Sequence, residues 1–205
     1  MTSLEGCAGG GWTLVMKVDG SKNTFAYNSL YWSNREMYNP VGGTSGFDFI
    51  ETKLPTYWST SFNEICIGIN THSDPKFLKI KYAGTSLLSL LKDGVFRPIY
   101  DVGREDWKSL IPSYSSLQNG CDQVGFNNQA SNLKMYPAAR IGIIADEDPS
   151  CKSPDSFIGI GGTDYLVHND CFLGYLTFPV SGNLAACAPD NGKVNIKSMG
   201  YILVR

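Results

Sequence analysis

Six cysteines, at positions 7, 66, 121, 151, 171 and 187, constrain this chain more tightly than any other feature of its sequence. Their number is even, their gaps are wide and irregular, and no Cys-x-x-Cys occurs among them. Zinc knuckles and thioredoxin-like redox sites need that close spacing, so neither is supported. Long-range disulfides are the use that fits, and they imply an oxidising compartment. Either Cys151–Cys171 or Cys171–Cys187 would brace the C-terminal part of the chain, and spacing does not choose between them. Cys187, Cys66 and Cys121 belong to the same bridging set, while Cys7 is left for a partner upstream.

With 205 residues, the chain reads as one domain over 1–205, residues 1–6 being a linker or an added start without the apolar run of a secretion signal. A chain of this length buries roughly 70% of its extended surface, so the bridges reinforce a core rather than replace one. Lys and Arg number 17 against 19 Asp and Glu, a net charge of −2. Nucleic acids and anionic membranes attract a strong positive field, so neither is an expected partner. No run of 18 apolar residues is present, so no membrane insertion is expected.

Strands are expected at Trp12–Val18, Cys66–Ile69, Phe77–Tyr82, Arg140–Ala145, Phe157–Ile160 and Tyr201–Val204. In Phe77–Tyr82, Leu78, Ile80 and Tyr82 alternate with Lys79 and Lys81, the pattern of a strand with one wet face. Leucines 87, 88, 90 and 91 form a helical stripe capped by Thr85 or Ser86 and closed by Gly94. A second short helix is expected at Arg104–Leu110. Between Gly161 and Ile196 periodicity fades, and a long irregular segment in a compact domain is usually functional. The class is α+β: a twisted, mostly antiparallel sheet with short helices and a long loop-rich C-terminal region.

Enzymatic motifs are scarce. Gly159-Ile-Gly161-Gly162-Thr163-Asp164 starts like a dinucleotide fingerprint, but Asp164 stands at the third glycine and no helix follows. No Walker loop, nucleophile elbow or His-Glu-x-x-His occurs, and only His72 and His168 are available to activate a cysteine. Two carboxylate groups suit Ca²⁺, which prefers oxygen ligands and relieves repulsion between like charges. One is Asp146-Glu147-Asp148 with Asp155; the other is Asp164 with His168, Asn169 and Asp170, just before Cys171. Tyr165, Tyr175 and Phe178 flank the second group and are candidates to stack on a sugar.

Gly9-Gly-Gly-Trp12-Thr-Leu-Val-Met-Lys-Val-Asp-Gly20 resembles the opening motif of fibrinogen C-terminal-like domains and intelectins, the X-type lectins. Trp32-Ser33, Phe157–Gly161 and the ending Lys197–Arg205 are similar to later landmarks of that family. The resemblance implies a fibrinogen C-terminal-like fold and a secreted, calcium-binding recognition domain without catalytic activity. It further implies that Asp164 begins a calcium loop and that His168, Asn169 and Asp170 hold a Ca²⁺ that accepts a sugar's vicinal diol. The chain departs from the pattern at Leu166, where a second Asp is usual, and at Thr177-Phe178-Pro179, where an acidic ligand is usual. A structural calcium site is implied after the opening motif, at Asp19 and Asn23 with Asp48 as a distant partner. The expected partners are glycans or glycoproteins, bound with avidity by homo-oligomers. The alternative is an extracellular structural or protein-interaction module of the same fold with purely structural calcium.

Overall fold

The computed structural model describes residues 4–130, 135–164, 166, 170–174 and 176–205. Eleven strands are described: β1 (Thr13–Asp19), β2 (Thr52–Lys53), β3 (Phe62–Asn70), β4 (Lys76–Gly84), β5 (Arg97–Pro98), β6 (Cys121–Gln129), β7 (Ala138–Asp146), β8 (Ser156–Gly162), β9 (Ser181–Ala185), β10 (Val194–Lys197) and β11 (Met199–Val204). They build two antiparallel sheets where the sequence suggested one: β2-β1-β11-β3-β4, and the meander β10-β9-β8-β7-β6-β5. Three short helices, α1 (Thr56–Ser59), α2 (Leu87–Leu91) and α3 (Arg104–Ser109), complete the mostly antiparallel framework.

Alternation along the strands explains how both sheets reach one core. Ile65, Ile67 and Ile69 of β3, Ile202 and Val204 of β11, Ile141 and Ile143 of β7, and Ile158 and Ile160 of β8 belong to a single buried cluster. The opposite face of the five-stranded sheet carries Trp12, Leu14, Tyr201 and Leu203; that of the six-stranded sheet carries Ile144, Phe157 and Leu184. A register shift between Leu14 and Met16 lets Val15 and Met16 both enter the central cluster. Gly142 and Gly159 face each other across β7 and β8, where a Cβ on either would collide with the partner backbone.

Local chemistry sets the helices and the chain's first turn. Ser86 Oγ accepts the Ser89 amide at 3.1 Å while Ser89 Oγ accepts the Ser86 amide at 3.2 Å, a reciprocal cap that starts α2. All four leucines of the stripe are buried, and Gly94 ends the turn at φ +68°. Gly9, Gly10 and Gly11 take φ +107°, +62° and +74°, a left-handed turn that glycine makes without steric cost. It delivers Trp12 to a buried position, where its indole donates to the Cys7 carbonyl at 2.8 Å.

The cysteines pair as Cys7–Cys66, Cys121–Cys151 and Cys171–Cys187. Cys7 therefore closes onto β3 rather than reaching upstream, and Cys171 chooses Cys187 over Cys151. The enclosed separations of 59, 30 and 16 residues correspond to about 4, 4 and 3 kcal/mol in the chain-entropy account. The segment read as irregular also holds two strands, β9 and β10, and in β9 the buried Ser181 and Asn183 mask the period. Asn183 of β9, fully buried, bonds Ser116 through both amide groups at 2.8 and 2.9 Å. No described helix is long and apolar enough to cross a membrane.

Candidate functional site

After β8, Leu166, Phe172 and Phe178 pack with Ile144, Phe157 and Leu184 on the outer face of the six-stranded sheet. Asp164 is half-buried and Asp170, which opens a 3-10 turn through Phe172, is exposed. Among the described residues, no hydrogen bond engages either side chain. Tyr165, His168, Asn169 and Tyr175 lie outside the described residues. Phe178 is not a sugar platform: it is buried, edge-on to Phe172 at 5.5 Å, and packed with Ile144 and Phe157.

The Asp146 group is not a shared cation site. Asp146 is fully buried, and its carboxylate accepts the amides of Asp148 at 3.2 Å and Ser153 at 2.8 Å, so the oxygens organise a turn. Asp148 is exposed and accepts the Ser150 amide at 2.8 Å; that bond holds its carboxyl below the usual range. One described cluster gathers three residues of metal-ligating type, Asp155, Cys171 and Cys187. Its two sulfurs form a disulfide and offer no thiolate. With every cysteine bridged, a Cys–His nucleophile pair is also excluded.

A more elaborate construction lies between β1 and β2, where sequence reasoning marked Asn23, Trp32 and Asp48 but neither the two lysines nor Glu51. Two fully buried lysines cross-link it. Lys53 of β2 donates to the Tyr31 carbonyl at 2.6 Å, the Asn34 carbonyl at 2.9 Å and Asn34 Oδ1 at 2.8 Å. Its ammonium also sits 4.6 Å from the centroid of the Tyr57 ring. No carboxylate pairs with it among the described residues, and burial pushes it down to about 8, with Glu36 acting weakly the other way. Lys17 of β1 reaches the opposite end, bonding Ser45 Oγ at 3.3 Å, the Gly46 carbonyl at 3.1 Å and the Asp48 carboxylate. Burial pushes the Asp48 carboxyl up, but the Lys17, Ser45 and Ile50 contacts outweigh it and hold it below its ordinary value. Asp48 is thus committed to Lys17 rather than shared with Asp19.

Glu51, not Asp48, faces Asp19. Glu51 is 3% exposed; its Oε1 accepts the Asp19 amide at 3.2 Å, and among the described residues no donor, the nearby Thr24 hydroxyl included, meets its shielded Oε2 in bonding geometry. Burial raises its carboxyl above the ordinary range in spite of nearby Thr24 and Lys22. Asp19 itself accepts the Ser21 amide at 2.9 Å and pairs with Lys22 at 3.2 Å. Asn39, at φ +41°, ties the middle of the stretch to Glu51 through its side-chain amide at 3.1 Å. The anchored stretch leaves apolar side chains in water: Leu30, Met37, Val41, Phe49 and Ile50 are 46–76% exposed and make up five of the ten exposed large hydrophobics described. Phe49 stacks on His72 at 5.2 Å, joining this surface to the turn between β3 and β4. No sequence pattern separates Lys17 and Lys53 from the solvated Lys81; only the folded surroundings do.

No protein-family model, curated protein or solved structure matches the chain.

Proposed function

We propose that this chain is a secreted recognition module of fibrinogen C-terminal-like fold that works by binding a protein partner, with calcium as a structural ion. The observation that carries the reading is the orphan Glu51 Oε2, shielded beside Asp19 at the end of the lysine-braced stretch. A buried acceptor without a donor is costly, and Ca²⁺ supplies the charge that such an oxygen lacks. Glu51 and Asp19 would hold it, and the ion would relieve their mutual repulsion. Fixing Glu51 also steadies the surface bearing Val41, Phe49 and Ile50. These exposed apolar side chains suit a protein partner better than a sugar, since the one aromatic ring among Val41, Phe49 and Ile50 is stacked on His72. Three disulfides support an extracellular setting.

The test is thermal unfolding, disulfides intact, in chelator and in rising calcium. Calcium at about 100 times its Kd adds about 2.7 kcal/mol. For a 205-residue chain this raises Tm by roughly 5–11 °C. Glu51→Gln should abolish that rise; a wild-type Tm indifferent to calcium refutes the structural ion. On a panel of immobilised extracellular-matrix proteins, wild type should bind saturably and Val41→Glu/Ile50→Glu should not. Equal binding by the two refutes the surface.

A second reading, calcium-dependent glycan binding through a chelated diol, is favoured by Asp164 and Asp170, whose carboxylates are uncommitted among the described residues. Glycan-array signals that vanish on chelation would move the conclusion to that loop.

A further inference from the structure

The open edges of the two sheets meet at a cleft of about 470 Å³, lined by Lys81 and Tyr82 from β4 and by residues 96–101 around β5. Its walls are packed from behind. Tyr82 is held edge-on against Phe126 at 4.8 Å, and Ile99 is buried with its amide on the Val124 carbonyl at 3.1 Å. The next residue, Tyr100, turns outward and is 90% exposed, more than any other described aromatic with a large exposed ring. Asp101 Oδ2 accepts the Lys81 amide at 2.7 Å, which fixes the carboxylate across the cleft. Among the described residues, no donor meets its other oxygen and no carboxylate pairs with the Lys81 ammonium.

This chemistry discriminates between ligands. A peptide adding to β4 as a further strand finds the Lys81 amide already taken. An anion meets the fixed Asp101, while Arg97 is spent on both Asp93 oxygens, at 2.8 and 2.6 Å, and on two carbonyls. A neutral polyhydroxylated ring meets none of these obstacles. Its C–H face packs on Tyr100, one hydroxyl donates to the free Asp101 oxygen, and another accepts from Lys81. We infer that the cleft between the β4 and β5 edges binds a neutral saccharide without a metal ion. The inference rests on the reading of the chain as a binding module, but at a different place from both the apolar surface and the loop after β8.

The test is an NMR titration of the isotope-labelled full chain, disulfides intact, with maltotriose, cellotriose and chitotriose at millimolar concentrations. At least one sugar should shift the amides of residues 81–82 and 96–101, equally in calcium and in chelator. Tyr100→Ala should weaken that binding about tenfold, the worth of one aromatic contact. Asp101→Asn keeps an acceptor for the Lys81 amide, so it should fold normally and bind more weakly. If none of the three sugars moves these amides, if Tyr100→Ala binds as wild type does, or if chelation abolishes the shifts, the inference is overturned. The calcium dependence of Tm is untouched by each of these outcomes, so the two proposals fail separately.

Discussion

Lys53 makes an unusual prediction: this group should stabilise the fold increasingly as the solution turns alkaline. Its ammonium is fully buried among carbonyl oxygens and rings, and burial lowers its pKa from 10.5 to about 8. A lysine depressed in the folded state loses its proton there first, while the unfolded chain keeps its proton until about pH 10.5. Between those values the unfolded state binds more protons, so raising the pH favours folding. Over a change from about pH 7.5 to 10, a displacement of this size is worth about 2 kcal/mol. The assay is urea unfolding of wild type and Lys53→Met at both pH values, disulfides intact. Other titrating groups largely cancel in the difference, as does the fixed loss of the hydrogen bonds to Tyr31 and Asn34. Wild type should gain about 2 kcal/mol on the variant across the interval, a Tm difference of roughly 4–8 °C. A gap that stays flat, or narrows in the opposite sense, refutes the buried-ammonium argument.

Two further outcomes follow from contacts that join distant parts of the chain. Replacing Cys7 and Cys66 together by Ala removes the 59-residue closure and should lower stability by about 4 kcal/mol; an unchanged urea midpoint contradicts the entropic account. Asp190 joins α3 to the turn before β10 by accepting from Lys108 at 2.6 Å, Arg104 at 3.0 Å and the Leu117 amide at 3.0 Å. Burial pushes its carboxyl up, but these partners bring it below the ordinary value, so its contribution holds above about pH 4 and fades as acid protonates it. Asp190→Asn should cost about 1–3 kcal/mol at neutral pH, a gap that closes on acidification. A gap independent of pH points to packing instead.

Much of the framework was legible where burial and polarity coincide. β1, β3, β4, β7, β8 and β11 announce themselves by apolar alternation or continuous apolar runs, and the fully apolar β11 occupies the centre of its sheet. α2 was readable from its leucine stripe and serine cap. β6 and β9 were not, because their interior positions include Asn128 and Asn183, side chains that look solvated until their amides find backbone partners inside. The same ambiguity misplaces charge. Asp146 looks like a free ligand yet is consumed by neighbouring amides, while Lys17 and Lys53 look like surface residues yet are fully buried. Phe178 could be assigned to core or to a binding face only once its contacts with Phe172 were in place. Glu51 drew no notice because its neighbour in space, Asp19, lies 32 residues away, and a contact at that distance in sequence leaves no local trace.

The two sheets differ in how they recruit their strands. The meander is assembled from one uninterrupted stretch, whereas the other sheet aligns Thr13 with Val204 and keeps β11 between β1 and β3. The five-stranded sheet therefore keeps a gap between β1 and β3 until β11, distant in sequence, fills it. The Cys7–Cys66 bridge moors the early end of the chain to β3 across that gap. Oxidation ahead of β11 docking would leave that strand a prepared berth, and its arrival would close the molecule like a keystone.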